Sequence, residues 1–470
     1  MSIIFGTDGW RGLLGQDMND ENVELVAQAF ADYLNTDSLT DKSAAIGYDG
    51  RTKSKEFARL FASVLSANGI KVSLSDSVIP TPVLSFFVKA KSLSAGVMIT
   101  ASHNPAEYNG IKFKGSYGGP FLTEETLKVE KLLDNSPVRK NNDSIEVTDM
   151  LPVYISHIEK YIDFGAIKNS ELTPLIDSMS GAGQHLLEEI LKSKGCSATT
   201  IYGEPKSDFS GRSAEPIEKN LTPLMDALKN DSSFALGIAT DGDADRLGAV
   251  MNGGEYLSAQ EAILFLADYM VNIKRLPGNV VKTSSVTDKI RTYFEKDGRI
   301  VHDVQVGFKY ICEKMISDEI CFGAEESGGY GYFGHIPERD GILSGLLLLE
   351  MLSVSGLKKL SEYAAMKRRE FGEIFYDRID YIYKGSDRVE KLPMLHANPP
   401  ADVCGFRIEK TETFLSSRGI INGLKFQLEG GERWLLLRAS ETEPMVRIYS
   451  EGRSMEEVRN FLNSGVKFIG

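Results

Sequence analysis

The chain has 470 residues, 53 basic and 66 acidic side chains for a formal net charge of −13, four cysteines and a hydrophobic fraction of 42%. That length admits roughly three to four domains of about 100–200 residues, and the acidity argues against nucleic acid or an anionic membrane as partner, because phosphates would be repelled. Ordinary hydrophobic and charged fractions exclude disorder and fibrous repeats, while Cys196, Cys312, Cys321 and Cys404 form no C-x-x-C pair and fit a reducing compartment.

Met1-Ser2-Ile3-Ile4-Phe5 lacks a basic leader and runs into Gly6-Thr7-Asp8-Gly9, so no signal peptide is predicted. Gly6-Thr7-Asp8-Gly9-Trp10-Arg11-Gly12 reads as a glycine-rich loop carrying a cation, without the Gly-Lys-Ser/Thr ending of an ATP-binding P-loop. Val23, Val26, Ala27, Phe30, Tyr33 and Leu34 share one helical face, as do Phe57, Leu60, Phe61, Val64 and Leu65. Asn68-Gly69 caps the second helix, and Ile70, Val72 and Leu74 alternate as a strand. Apolar runs at 45–48 and 95–99 complete a β-α-β-α-β rhythm. The rhythm returns over 175–177, 185–191, 198–202 and 235–239, and again over 279–282, 290–294, 301–304, 310–316 and 320–323. Such alternation predicts doubly wound α/β domains.

The greasiest stretch, 342–349, ends at Glu350, far short of the roughly 20 residues of a membrane span; a soluble cytoplasmic protein is expected. After Gly372, short strands at 374–383, 413–420, 423–428, 434–438 and 446–450 and a helix at 455–462 predict an α+β domain. The expected fold class is therefore α/β: three doubly wound domains with mixed sheets at 1–152, 153–254 and 255–370, and a smaller α+β domain at 371–470, around a central cleft.

Three apolar strands run into polar loops: Thr100-Ala101-Ser102-His103-Asn104-Pro105, Asp241-Gly242-Asp243-Ala244-Asp245-Arg246, and Gly323-Ala324-Glu325-Glu326-Ser327-Gly328-Gly329. Ligands of α/β sheets bind beyond strand carboxyl ends. Asp241, Asp243 and Asp245 crowd hard oxygen donors that repel one another unless a cation such as Mg²⁺ or Ca²⁺ neutralises them. An EF-hand fails, because Arg246 stands where its loop needs Gly and Asn252 where it needs Glu. A haloacid-dehalogenase-type phosphatase with Asp241 as nucleophile is a rival, although Asp245 stands where that motif wants Thr or Val; a solvated acidic turn is the plain alternative.

Ser102 beside His103, in a loop stiffened by Pro105, is a nucleophile candidate. Burial can depress the Lys112 ammonium into an acid/base role. Against these stand a turn serine, a packing histidine and a surface lysine. Arg438-Ala439-Ser440-Glu441-Thr442-Glu443-Pro444, with Arg447 beyond, gathers guanidiniums and hydroxyls into an anion grip, or else a surface turn.

Taken in order, G-T-D-G-W-R-G, T-A-S-H-N-P, D-G-D-A-D-R, E-E-S-G-G and R-A-S-E-T-E-P resemble the α-D-phosphohexomutase superfamily, the phosphoglucomutases and phosphomannomutases, across essentially the whole chain. The resemblance implies interconversion of hexose 1-phosphate and hexose 6-phosphate, glucose favoured over mannose, through a phosphoserine and a hexose 1,6-bisphosphate that turns around between half-reactions. By the same resemblance Ser102 carries the phosphoryl group, and Asp241, Asp243 and Asp245 hold Mg²⁺ with an oxygen of phosphorylated Ser102. Arg11, His103 and Lys112 surround the transfer, with Lys112 the proton carrier, and Arg246 supports the site. Glu325 and Ser327 contact sugar hydroxyls, Lys309 is an additional substrate lysine, and Arg438, Ser440, Thr442 and Arg447 hold the non-reacting phosphate.

Several dual-specificity or glucosamine-active relatives carry histidine after the Ser-Gly of the sugar loop. Here that place is Gly329, so Lys309 or Lys112 is expected to cover its role. Phosphoglucosamine mutase is the alternative activity, ahead of a phosphatase or a silent sugar-phosphate-binding protein. The expected partner is a small hexose phosphate, with no nucleic acid or membrane, for a monomer or homodimer.

Overall fold

The unbroken apolar run Ala95–Ile99 is buried along its whole length, as a strand must be when helices cover both faces of its sheet. In the computed structural model, which describes residues 3–6, 8–36, 42–296, 298–383, 385, 387–416, 419–440 and 444–470, this strand lies within a sheet of six. Its members are β1 (Trp10–Leu13), β2 (Ser43–Tyr48), β3 (Lys71–Ser75), β4 (Ala95–Ile99), β5 (Tyr108–Gly115) and β6 (Ile145–Thr148), in the order β1-β5-β4-β2-β3-β6. β5 runs antiparallel to β4 and β1, and the other pairings are parallel. Helices Asp20–Thr36 and Ser54–Ala67 bury Phe30, Phe57 and Phe61 against it with Phe113, and Thr81–Ala90 places Val83, Leu84 and Val88 in a separate core. The motif expected as a loop over 6–12 is only partly one: Trp10–Leu13 is an edge strand, and Arg11 stands opposite Gly110 of β5.

The second sheet holds β7 (Pro174–Asp177), β8 (Thr199–Ile201), β9 (Leu236–Thr240), β10 (Leu247–Met251) and β11 (Tyr256–Leu257), ordered β11-β10-β9-β7-β8. The third holds β12 (Asn279–Thr283), β13 (Val301–Val304), β14 (Ile320–Ala324) and β15 (Tyr330–Tyr332), ordered β13-β12-β14-β15. Both mix parallel and antiparallel pairs. Between them runs the helix Gly341–Ser355, buried continuously from Gly341 to Ser353. A Cβ at its Gly345 would come within 2.8 Å of Ile238, so the glycine lets helix and sheet approach closely. One apolar core consequently extends through parts of the first three units. The greasiest sequence stretch belongs to this buried helix, and among the described residues no single helix is long and apolar enough to cross a membrane.

The fourth sheet is antiparallel: β16 (Phe375–Ile382), β17 (Asp402–Val403), β18 (Phe406–Leu415), β19 (Ile421–Leu428), β20 (Trp434–Ala439) and β21 (Met445–Gly452), ordered β16-β21-β20-β19-β18-β17. The strand expected over 413–420 actually starts at Phe406 and ends at Leu415, because its alternation with charged residues extends backwards. The final helix runs from Met455 to Ile469, beyond the expected end at 462, because Gly465 and Ile469 continue the buried face of Val458, Phe461 and Leu462.

Candidate active site

Ser102 sits just past the carboxyl end of β4, fully buried, with a left-handed φ of 52°. Its Oγ donates to Asp241 Oδ2 at 3.0 Å and lies 3.4 Å from His103 Nδ1. The two loops meet because residue 242 is glycine: a Cβ there would fall 2.4 Å from the Ser102 carbonyl oxygen.

The aspartate loop is clamped from both sides. Thr81 N–H donates to Asp243 O at 2.9 Å, and Gly341 N–H, at the start of the central helix, donates to Ala244 O at 3.1 Å. Asp241 turns Oδ1 back onto the N–H groups of Asp245 and Arg246 at 2.9 and 3.1 Å. Ligand oxygens of Asp241, Asp243 and Asp245 lie within 4.8 Å of one another, all buried. Burial, then Asp245 and Asp243, push the Asp241 carboxyl well above its ordinary range. Asp243 Oδ1 and Asp245 Oδ1 are buried without a hydrogen-bond partner. Such orphaned oxygens are costly, so this donor set fits a hard divalent cation.

Lys112 projects from β5 into the same cluster, with Nζ 2.7 Å from Asp243 Oδ2, 3.1 Å from Asp245 Oδ2 and 3.1 Å from Asp8 Oδ2. Burial does press its ammonium down, but the three carboxylates raise it by more, so it stands above the ordinary lysine value. The expected depression of Lys112 into an acid/base role is therefore corrected: it is a fixed positive charge. His103 is the group displaced downward, well below the ordinary imidazole value, by burial and by Arg246, Arg11, Lys112 and Arg447. It is neutral near pH 7. Arg11 reaches Asn104 Oδ1 from β1 at 2.6 Å, and Arg246 Nε lies 3.8 Å from both Asp241 Oδ2 and Asp245 Oδ1.

The loop between β14 and β15 joins this cluster through Leu247 N–H, which donates to Gly328 O at 2.8 Å. Burial raises the Glu325 carboxyl to about 7, against the pull of Arg339. Its Oε2 makes no hydrogen bond and lies 3.5 Å from Arg339 Nη1. Ser327 is half-buried nearby in the chain. Lys309 opens the helix Phe308–Ser317, buried, with Nζ 5.0 Å over the Tyr310 ring.

On the fourth sheet Arg438 and Arg447 are direct cross-strand partners, and Ser440 N–H donates to Met445 O at 2.9 Å where the connecting turn begins and ends. Two guanidiniums side by side repel unless an anion or carboxylate intervenes, and Asp380 Oδ1 lies 3.8 Å from Arg447 Nε. Thr442 lies outside the described residues. The charge of Arg447 contributes to the depression of His103.

Sequence reasoning missed two members of the cluster altogether. Thr81 donates its hydroxyl to Asp243 Oδ2 at 2.6 Å. Arg339 is bound through Nη2 to Asp8 and, at 2.8 Å, to Asp245 Oδ2. Asp8 stood inside a glycine-rich motif without a role. Arg339 had one faint cue: a charged triplet, Glu338-Arg339-Asp340, directly before the most apolar stretch of the chain.

Residues 2–139, 152–254 and 259–370 match Phosphoglucomutase/phosphomannomutase alpha/beta/alpha domains I, II and III, and residues 387–464 match the C-terminal domain. A Phosphoglucomutase/phosphomannomutase of Thermococcus kodakarensis is 27% identical, with 100% of this chain and 99% of that protein covered. A Phosphoglucosamine mutase of Methanocaldococcus jannaschii is 30% identical, covering 91% of this chain and 92% of its own length. A crystal structure from Thermus thermophilus, provisionally described as a phosphomannomutase, superposes with a TM-score of 0.85 at 34% identity and covers 100% of both chains. With all four domain families matched in order, the chain belongs to the phosphoglucomutase/phosphomannomutase family of the α-D-phosphohexomutase superfamily, and is a phosphohexomutase, an intramolecular phosphotransferase.

Proposed function

We propose that this phosphohexomutase interconverts hexose 1-phosphate and hexose 6-phosphate, with glucose favoured and mannose accepted, by passing a phosphoryl group through Ser102. The observation that carries the reading is a buried serine hydroxyl 3.0 Å from Asp241, inside a cluster of three aspartates with two orphaned oxygens.

In the first half-reaction the P–O bond of phosphorylated Ser102 breaks and a new one forms to the free hydroxyl oxygen of the sugar phosphate, whose proton ends on the departing Ser102 Oγ. In the second, the hexose 1,6-bisphosphate has turned around, the P–O bond to its other sugar oxygen breaks as that phosphoryl group moves to Ser102, and the serine proton passes to the sugar oxygen left behind. Neutral His103, 3.4 Å from Ser102 Oγ, is placed to take that proton. Lys112, Arg11 and Arg246 supply fixed positive charge where phosphoryl oxygens gather negative charge. Mg²⁺ held by Asp241, Asp243 and Asp245 would add to that neutralisation. Glu325, with a carboxyl near 7, can donate to or accept from a sugar hydroxyl beside Ser327. Arg438, Ser440 and Arg447 grip the phosphate that is not reacting.

The Phosphoglucomutase/phosphomannomutase of T. kodakarensis, which aligns over 100% of this chain, supports the neutral hexose. The Phosphoglucosamine mutase of M. jannaschii supports the second reading, an amino-sugar phosphate. Turnover of glucose 1-phosphate, mannose 1-phosphate and glucosamine 1-phosphate, with Mg²⁺ and the matching bisphosphate, separates the two. Fastest turnover of the glucosamine compound would replace the first reading by the second. Phosphopeptide mapping that finds phosphate on Asp241 and none on Ser102 would sink both in favour of a phosphohydrolase.

A further inference from the structure

Arg51 belongs to none of the sequence motifs; it lies in the turn after β2 and is only 4% exposed. Its Nη1 donates to the carbonyls of Pro105 and Tyr108 at 2.8 and 3.0 Å, and its Nη2 to those of Ser102 and Asn104, both at 2.6 Å. One planar fork thus holds four carbonyl oxygens of the short segment 102–108. Its Nε stands 3.2 Å from Asp49 Oδ2. Asp49 also accepts from the hydroxyls of Ser54 and Thr100 at 2.7 and 2.6 Å, and Thr100 Oγ1 accepts the Ser102 N–H at 2.9 Å.

Both backbone groups of Ser102 are therefore tied to one Asp49–Arg51 unit. The residue between those ties has a left-handed φ, a conformation that strains a side-chain-bearing residue and does not persist unless it is held. The guanidinium also stacks 4.6 Å from the Phe209 ring centroid. That same ring borders Gly242 of the aspartate loop, lying 3.3 Å from where a Cβ there would be. The grip on the serine loop and the packing of the aspartate loop thus share one contact.

We propose that Arg51 is a positioning residue for phosphoryl transfer: it fixes the backbone of residues 102–108 so that Ser102 Oγ faces the aspartate loop. The proposal rests on Ser102 being the group that is phosphorylated. Lysine cannot replace it, because an ammonium carries three donors on a point charge and cannot span four carbonyls with a planar fork.

The test compares the full-length wild type with Arg51→Lys and with Thr100→Val, an isosteric change that cuts the tie between Asp49 and the Ser102 N–H. The substrate is whichever of glucose, mannose or glucosamine 1-phosphate the wild type turns over fastest. Misplacing a reacting group by about 1 Å costs on the order of 100-fold, so kcat is expected to fall roughly 10- to 100-fold in Arg51→Lys, with KM within about twofold. Phosphorylation of Ser102 by the bisphosphate should slow in the same proportion, and Thr100→Val should show the same pattern to a smaller degree. A lowered Tm with kcat per folded molecule unchanged would make Arg51 a structural residue only, and overturns the proposal. If Arg51→Lys does not fold, Thr100→Val decides by the same criteria. Failure of the underlying reading is seen separately, as turnover retained in Ser102→Ala. A crystal structure of Arg51→Lys that keeps the Ser102 φ and its contact with Asp241 overturns the role of Arg51 whatever Ser102 does.

Discussion

Gly329 and Arg339 share one volume: a Cβ at position 329 would lie 2.3 Å from Arg339 Cδ and 2.8 Å from its Cγ. The absence of a histidine after the Ser-Gly of this loop is thus explained by what stands in its place. Neither Lys309 nor Lys112 fills that space; the arginine does, with its guanidinium spanning Asp8, Asp245 and Glu325.

Substituting Gly329→Ala should therefore destabilise the fold by about 1–3 kcal/mol through overpacking, and more through Arg339 than through anything else. In an Arg339→Ala background the same substitution should cost at least about 1 kcal/mol less. Urea unfolding of the four proteins measures this, and equal costs in both backgrounds would refute the steric coupling.

Mg²⁺ should raise Tm, by linkage worth about 2.7 kcal/mol at a hundredfold excess over Kd. Asp243→Asn should lose most of that response, since it removes a buried ligand carboxylate. Differential scanning fluorimetry across a Mg²⁺ series, begun from chelator-treated protein, reads both. An undiminished response in the variant would place the cation elsewhere.

The Glu325 carboxyl ordinarily titrates at 4.5 and is raised to about 7 here, chiefly by burial. Between those values the folded state binds more protons than the unfolded state, so this group's contribution to stability is present at low pH and lost as pH rises through that window. The full loss is of order 2–4 kcal/mol. Glu325→Gln has no such dependence. Its Tm relative to the wild type should climb from pH 5 to pH 8, and a flat difference would contradict the burial-driven shift.

Lys114 of β5 and Glu338, just before the central helix, form an ion pair with both side chains fully buried. Lys114→Met removes the ammonium that balances the buried Glu338 carboxyl and leaves it only the Ser85 hydroxyl and Arg339, at a cost of about 3–5 kcal/mol. Lys114→Met/Glu338→Leu should recover much of it. Thermal or urea unfolding distinguishes these cases, and a harmless single substitution would show the pair to be dispensable.

Much of this protein was legible locally. The helices at 20–36 and 54–67 follow from apolar residues recurring on one face, and β4, β9 and β14 from short apolar runs that end in polar loops. The edge strand β1 was hidden by glycines that read as a loop, and the first part of β18, before residue 413, by its charged residues. For Lys112 the sequence leaves a buried acid/base group and a surface lysine both open; the structure buries it and shifts its ammonium upward, not down. Burial is a property of the strand, whereas the field on the ammonium comes from Asp8, Asp243 and Asp245 on other segments.

By itself, then, the sequence determined the α/β class, the family and the loops that carry chemistry, because hydrophobic period and turn residues act over a few positions. Only the tertiary structure decided which charge answers which. Asp8 and Arg339 stand 331 residues apart and Arg51 and Ser102 stand 51 apart, and no local pattern encodes an interaction whose strength depends on a shared, water-free interior.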